Sequence, residues 1–302
     1  MSSEGHSTKV VLTSLGANLA IALAKTGAAV FTHSGSMLAE AIHTFADCFN
    51  QILLLVGIKQ SAQGPSEKHP LGTGRASYFW SFVVALMLFT GGGVFSIGEG
   101  VEKVIHPEPV HHVSIGMIIL GFSFVLEALS LRQCVSEINK KRGAVPFLEF
   151  LEVTKDAELV VCTGENFAAV VGLAFAFAAM ALAVYVDPRF DGVGSILVGL
   201  VLVWVAWFLA RKVKSLLLGE RADPEVDAAV HAAAKDDARI LSVLRMITVQ
   251  QGPGEVMIAV KLRLDDALTC PQVSEVINAF EQRVRARMPD VKWQFVEPDT
   301  AE

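Results

Sequence analysis

The sequence predicts an α-helical membrane protein of six transmembrane helices followed by a small α+β domain in the cytoplasm, and three observations lead there. Of its 302 residues, 52% are hydrophobic and only 19% charged, which is more apolar than a soluble chain of this length needs. Long apolar runs stop near residue 215, and beyond it charge is spread throughout. Lys and Arg also fall almost wholly on one side of the spans that those runs define.

About twenty apolar residues are needed to cross hydrocarbon, and six stretches qualify: roughly 10–31, 36–58, 78–101, 113–134, 157–186 and 192–211. The second is the least apolar, and its helical reading rests on LLLVGI and on Met37, Ile42, Phe45 and Phe49 at helical spacing. Thirteen basic residues lie on the side of the N-terminus: Lys9; Lys59, Lys68 and Arg75; Arg132, Lys140, Lys141, Arg142 and Lys155; Arg211, Lys212, Lys214 and Arg221. Only Lys103 and Arg189 lie opposite. An even number of spans with both termini cytoplasmic fits this split, and an odd number destroys it. The opening MSSEGHSTKV lacks the basic start and small-residue cleavage site of a secretory signal, so the N-terminus is expected to stay in the cytoplasm.

The boundary falls at residues 215 and 216, giving a membrane domain over 1–215 and a soluble domain over 216–302. In the latter, 225–236 is helical in composition and 242–250 reads as a strand. A GPG turn at 252–254 leads into a strand in which Val256, Ile258, Val260, Leu262 and Leu264 alternate. A second helix follows with Val273, Val276, Ile277, Phe280 and Val284 on one face, and VKWQFV closes an α-β-β-α-β order. A core of this size gains from pairing with a second copy.

The formal charge of −6 shows no basic stripe with interleaved aromatics, which sets nucleic acid aside as a partner. Cys48, Cys134, Cys162 and Cys270 form no CxxC pair, so structural thiols are the default.

Against this apolar background AEAIHTFAD, residues 39–47, places Glu40, His43 and Asp47 on one face of the second span, where each ionisable group costs at least ~2.5 kcal/mol. Interhelical polar glue is the plain alternative, but glue is normally uncharged. The fifth span answers with Cys162, Glu165 and Asn166 on one face of VVCTGENFAAVVG. Two half-sites on two helices suggest one divalent-metal site between them. Imidazole, carboxylate and thiolate suit tetrahedral Zn²⁺, with Mn²⁺, Fe²⁺, Co²⁺ and Cd²⁺ left open. Cys162 alone reads more readily as a small buried apolar residue. Lys25 and Glu127 are two further intramembrane charges, of structural, gating or proton-handling type.

SGSMLAEAIHTFADCFNQ, EKHPLGTGRASYFWSF, LRQCVSEINKKRG and LLLGERADPEV, in that order, resemble the cation diffusion facilitators along essentially the whole chain. The resemblance implies a homodimeric six-span antiporter in the plasma (inner) membrane, exporting Zn²⁺ or a similar ion in exchange for protons. It also implies a ferredoxin-like cytoplasmic domain. The family's four-spaced pair on the second span maps to His43 and Asp47, and that on the fifth to Cys162 and Asn166. Asn166 stands where the family usually has Asp, so either Glu165 supplies the missing carboxylate or metal choice has shifted.

In HPLGTG, His69 is kept and Thr73 stands where relatives with a loop metal site have a second histidine, so His69 is expected to order the loop. His231 has no histidine or cysteine cluster beside it in sequence, and Asp265–Asp266 reads as a solvated turn. His106, His111 and His112 read as a solvated external loop. An intramembrane metalloenzyme would want HExxH with a catalytic water, which is absent, and no enzyme is expected. A membrane sensor that binds metal without moving it is the second reading, kept open by Asn166. No cofactor is expected; the metal is the transported ion.

Overall fold

In hydrocarbon only a helix or a closed barrel satisfies its own backbone, and the apolar part of the chain is helical throughout. The computed structural model describes residues 3–32, 35–107 and 113–300. Its helices up to residue 218 are α1 (Ser3–Thr32), α2 (Gly35–Ser61), α3 (Ala76–Met87), α4 (Phe95–Ile105), α5 (Val113–Lys141), the short α6 (Phe147–Val153), α7 (Ala157–Tyr185) and α8 (Arg189–Leu218). The chain divides into two compact units, one from residues 3–59 and 77–214, the other from 60–76 and from 215 onward.

Five stretches among the described residues are long and apolar enough to cross a membrane: 8–27, 76–105, 116–141, 157–185 and 189–218. The span expected over 36–58 lies within α2. Its 27 residues give roughly 40 Å of helix, but Glu40, His43, Asp47 and Lys59 dilute its apolarity.

The third span departs from the expected single α-helix. Leu88–Val94 is π-helical and separates α3 from α4. The stretch holds Gly91, Gly92 and Gly93, which contribute little helix propensity, and the Thr90 hydroxyl donates to the Leu86 carbonyl at 2.9 Å. Phe95 N–H reaches back to the carbonyls of Thr90 and Gly92.

Glycines then let α4 and the preceding π segment lie against α8. A Cβ at Gly100 would stand 2.6 Å from the Gly192 carbonyl and 2.8 Å from the Ile196 nitrogen; one at Gly192 would stand 2.6 Å from the Gly100 carbonyl. Gly93 and Gly199 repeat the contact one heptad away. Without a hydrophobic drive between helices in lipid, such close backbone packing is a main source of association. On its other side α8 meets α7, where a Cβ at Gly164 would touch Val205 and Leu209, and one at Gly172 would touch Val198. Helix α5 packs along α7, and α1 against both.

In the second unit α9 (Pro224–Lys235), β1 (Ile240–Gly252), β2 (Glu255–Leu264), α10 (Cys270–Arg287) and β3 (Val291–Pro298) follow the α-β-β-α-β order. The sheet order is β1-β2-β3, with β1 and β2 antiparallel and β2 and β3 parallel. Gly254, with φ +67°, makes the β1–β2 turn in the left-handed region that favours glycine. Alternate residues of β2, from Val256 to Leu264, are buried with Val230, Val276 and Phe280 of the two helices. Thr269 and Gln272 form a capping box at the start of α10. The opposite sheet face carries the row Ile247, Ala259 and Phe295, of which Ile247 and Phe295 are 45% and 55% exposed.

The segment 60–76 belongs to this second unit because glycine meets glycine: a Cβ at Gly252 would stand 2.6 Å from Gly74 Cα, and one at Gly74 would stand 2.8 Å from the Gln251 carbonyl. Thr73 ties the segment, its hydroxyl lying 2.6 Å from the Gln60 carbonyl and 3.0 Å from that of Gln63. His69 takes part through its backbone N–H, which reaches the Ser66 hydroxyl at 3.1 Å.

Backbone oxygen at 2.6 Å from the position of a Cβ leaves no room for a methyl group. Gly100→Ala is therefore expected to lower the stability of the detergent-solubilised protein by about 1–3 kcal/mol, read as a lower melting temperature. Gly98→Ala, which meets nothing within 4 Å, serves as the control, and equal melting of the two variants would contradict the packing described.

Candidate metal-transport site

Polar residues in the first unit line up on helical faces rather than scatter. Ser14, Asn18 and Lys25 are buried on α1, Thr44, Asn50 and Gln51 on α2, and Ser123, Glu127, Ser130 and Cys134 on α5, with Cys162 and Asn166 on α7. Apart from Asn50, which falls six residues from Thr44, their offsets of three, four and seven keep each set on one side of its helix. Four helices thus turn polar stripes toward one another, and lipid faces the apolar remainder.

Two neighbourhoods form inside this interior. In the first, Glu165 has both carboxylate oxygens buried, with the Asn50 side chain beside them, and it lies within electrostatic reach of Asp47 on α2 and Glu127 on α5. Glu127 is in turn within reach of Asp47 and of Lys25, whose ammonium donates to Thr44 Oγ1 at 2.9 Å. A carboxylate charge in low dielectric is held at a cost that a proton or a cation relieves.

The second neighbourhood is held by Asn166. Its Nδ2 donates to the Cys162 carbonyl at 2.7 Å and lies 3.4 Å from Cys162 Sγ and 3.6 Å from Cys134 Sγ. The Ser14 hydroxyl is 3.2 Å from both amide atoms, and Gln51 Nε2 donates to that hydroxyl at 2.8 Å. The two sulfurs are 3.7 Å apart.

Of the residues expected in the site, the structure brings Asp47 and Glu165 within reach of each other and sets Cys162 with Asn166 beside them. The side chains of His43 and Glu40 lie outside the described residues. Among the described residues, no three His, Cys, Asp or Glu side chains gather as a metal-binding group. His111 and His112 also lie outside the described residues, and His106 and His231 are exposed.

Sequence reading missed Cys134, Ser14 and Gln51. Ser14 and Gln51 carried a usable signal: Ser14 repeats with Asn18 and Lys25 at helical spacing, and Gln51 stands four residues from Asp47. Cys134 carried none, because 28 residues separate it from Cys162 and only helix packing joins them.

A family model described as the cation efflux transmembrane domain matches residues 11–218. Among curated relatives, metal tolerance protein C4 of Arabidopsis thaliana is 29% identical over 252 residues, covering 82% of this chain and 55% of its own length. The human mitochondrial proton-coupled zinc antiporter SLC30A9 is 30% identical over 239 residues, covering 78% of this chain and 42% of its own length. The cation-efflux pump FieF of Shewanella oneidensis is 22% identical over 263 residues, covering 87% and 84%. The chain thus spans about half the length of the first two relatives.

Removing the Ser14 hydroxyl leaves the buried amides of Gln51 and Asn166 short of a partner. Ser14→Ala is expected to cost about 1–3 kcal/mol in thermal unfolding in detergent, whereas Thr13→Ala, at an exposed neighbour, stays within error of the parent. Equal stability of Ser14→Ala and the parent would remove Ser14 from the network.

Proposed function

Taking as premise that this chain belongs to the cation diffusion facilitator family of cation efflux proteins, we propose that it is a Zn²⁺/H⁺ antiporter whose metal binds between the second and fifth spans. The observation that carries this reading is Glu165, whose two buried carboxylate oxygens lie within reach of a second carboxylate, Asp47, on the facing span. His43 and Asp47 from α2, with Glu165, Asn166 and Cys162 from α7, are the proposed ligand set. Mn²⁺, Fe²⁺, Co²⁺ and Cd²⁺ are further candidate ions, since such ligand sets overlap. The names of SLC30A9, a proton-coupled zinc antiporter, and FieF, a cation-efflux pump, support the direction and the coupling.

The coupling follows from charge. A dication entering the site must displace the protons that neutralise the carboxylates in its absence, because metal ligands bind deprotonated. Opening to the cytoplasm loads the metal; the helices rock; protons entering from the far side replace the metal as it leaves. Asp47 and Glu165 supply negative charge that offsets dehydration of the ion. Glu127, within reach of Asp47 and Lys25, is placed to hand protons to the site. No covalent bond is made or broken, and the protein is not an enzyme.

The proposed architecture is six spans, with α2 as the sixth membrane-crossing element, both termini in the cytoplasm and the protein in the plasma (inner) membrane. Residues 1–215 form the transport domain and 216–302 a ferredoxin-like dimerisation domain. A second copy is the proposed cover for the open sheet face bearing Ile247 and Phe295.

Zinc flux into proteoliposomes, with a lumenal pH indicator, tests the site. Glu165→Gln and Asp47→Asn are each expected to stop zinc movement and the accompanying pH change, while Asn166→Asp keeps transport. Normal flux in Glu165→Gln beside a dead Asp47→Asn would remove Glu165 from the site, and zinc binding with no flux in the parent would make the protein a sensor. Light scattering of the full-length protein in mild detergent tests assembly: the parent is expected as a dimer and an Ile247→Glu, Phe295→Glu variant as a monomer, and a parent that is strictly monomeric would overturn the dimer.

A further inference from the structure

The carboxylate neighbourhood leaves a feature unexplained. Cys134 of α5 and Cys162 of α7 are fully buried and face each other with sulfurs 3.7 Å apart. A thiol is a weak hydrogen-bonding group, and a structural cysteine serves a core as a small apolar filler. These two instead meet in a polar pocket, under the Asn166 amide at 3.4 and 3.6 Å, with the Ser14 hydroxyl behind it.

The spacing has a geometric meaning. Metal–sulfur bonds of about 2.3 Å at the tetrahedral angle place two sulfurs about 3.8 Å apart. The observed separation is therefore that of two thiolates already set on one edge of a tetrahedron around a zinc-sized ion, and a larger soft ion needs only a few tenths of an ångström more. The remaining corners face oxygen chemistry: rotation of the Asn166 amide about its last torsion gives up its bond to the Cys162 carbonyl and turns its oxygen toward the sulfurs, and Ser14 Oγ stands 3.2 Å from that amide.

We propose that Cys134 and Cys162, completed by Asn166, form a dithiolate site for a soft divalent cation of the zinc and cadmium class, adjoining the carboxylates of Asp47 and Glu165. Binding takes one dication and releases one proton from each thiol to water, so the net charge of the pocket does not change. That balance suits a pocket deep among helices, where an uncompensated charge is costly. Soft thiolate favours Cd²⁺ and Zn²⁺ over Mn²⁺, so the site biases the cargo toward thiophilic ions. The inference rests on the transport reading only in that Cys162 and Asn166 belong to both.

The test uses full-length protein in detergent, reduced, with Cys48→Ser and Cys270→Ser so that only the facing pair remains. Titration with Cd²⁺ is expected to raise the ultraviolet sulfur-to-cadmium charge-transfer band and to saturate at one ion bearing two thiolates. Adding Cys134→Ser is expected to cut the band to about half or less, because one of two sulfur ligands is gone. X-ray absorption at the cadmium edge on the parent with the pair intact counts two sulfur neighbours and needs no substitution within the pair. A band unchanged by Cys134→Ser, or a cadmium shell with no sulfur, overturns the proposal. Asp47→Asn keeps the band, so a transporter whose carboxylate site has failed is told apart from one that lacks the thiolate site; loss of the band in Asp47→Asn also overturns the proposal as stated.

Discussion

The helical interior is organised around a buried carboxylate. Both oxygens of Glu165 are buried, with the neutral Asn50 side chain beside them, and low dielectric penalises a charge held there. Neighbouring elements bear on that penalty: Asp47 and Glu127 add negative charge nearby, and Lys25 brings an opposite charge within reach of Glu127. On the proposed reading the site is stable in two conditions, protonated or metal-filled, and exchange between them is what an antiporter requires.

Packing elsewhere supplies the rigidity that lets this tension persist. Glycine contacts between α4 and α8, and between α7 and α8, bring backbones close and leave few ways for these helices to slide. The polar stripes of α1, α2 and α7 are joined by the chain from Gln51 through Ser14 to Asn166. Asn166 is therefore more than a weakened ligand. It is the hydrogen-bonding centre of a second neighbourhood, next to the carboxylate of Glu165.

Much of this was legible in the sequence, and the parts that were not share a physical reason. Alternation in β2 named its buried residues because a strand's period of two is fixed by the backbone alone. Glu165 could be singled out because a charge in an apolar run is improbable without use. The π segment in the third span was invisible to hydropathy, which registers apolar length and not hydrogen-bonding pattern. Cys134 was dismissed as structural because its meaning lies in a contact across helices. Thr73, read only as a missing histidine, turns out to tie its loop through two carbonyls. Local periodicity predicts elements; pairings between elements need the fold.

The π segment at Leu88–Val94 bears on how this span can change length. A π turn, bonded i to i−5, holds more residues than an α turn, so the Leu88–Val94 stretch carries more residues per turn than the α-helices on either side of it. The surplus is absorbed between two stretches whose faces are already committed: α3, with Tyr78 and Val84 buried, and α4, with Gly100 against Gly192. Removing one residue from the segment lets it relax toward ordinary i to i−4 bonding without rotating either committed face. Removing one from α4 turns everything beyond it by 100°. The span thus carries its own slack, confined to one place, and tolerance to insertion and deletion along it is concentrated there.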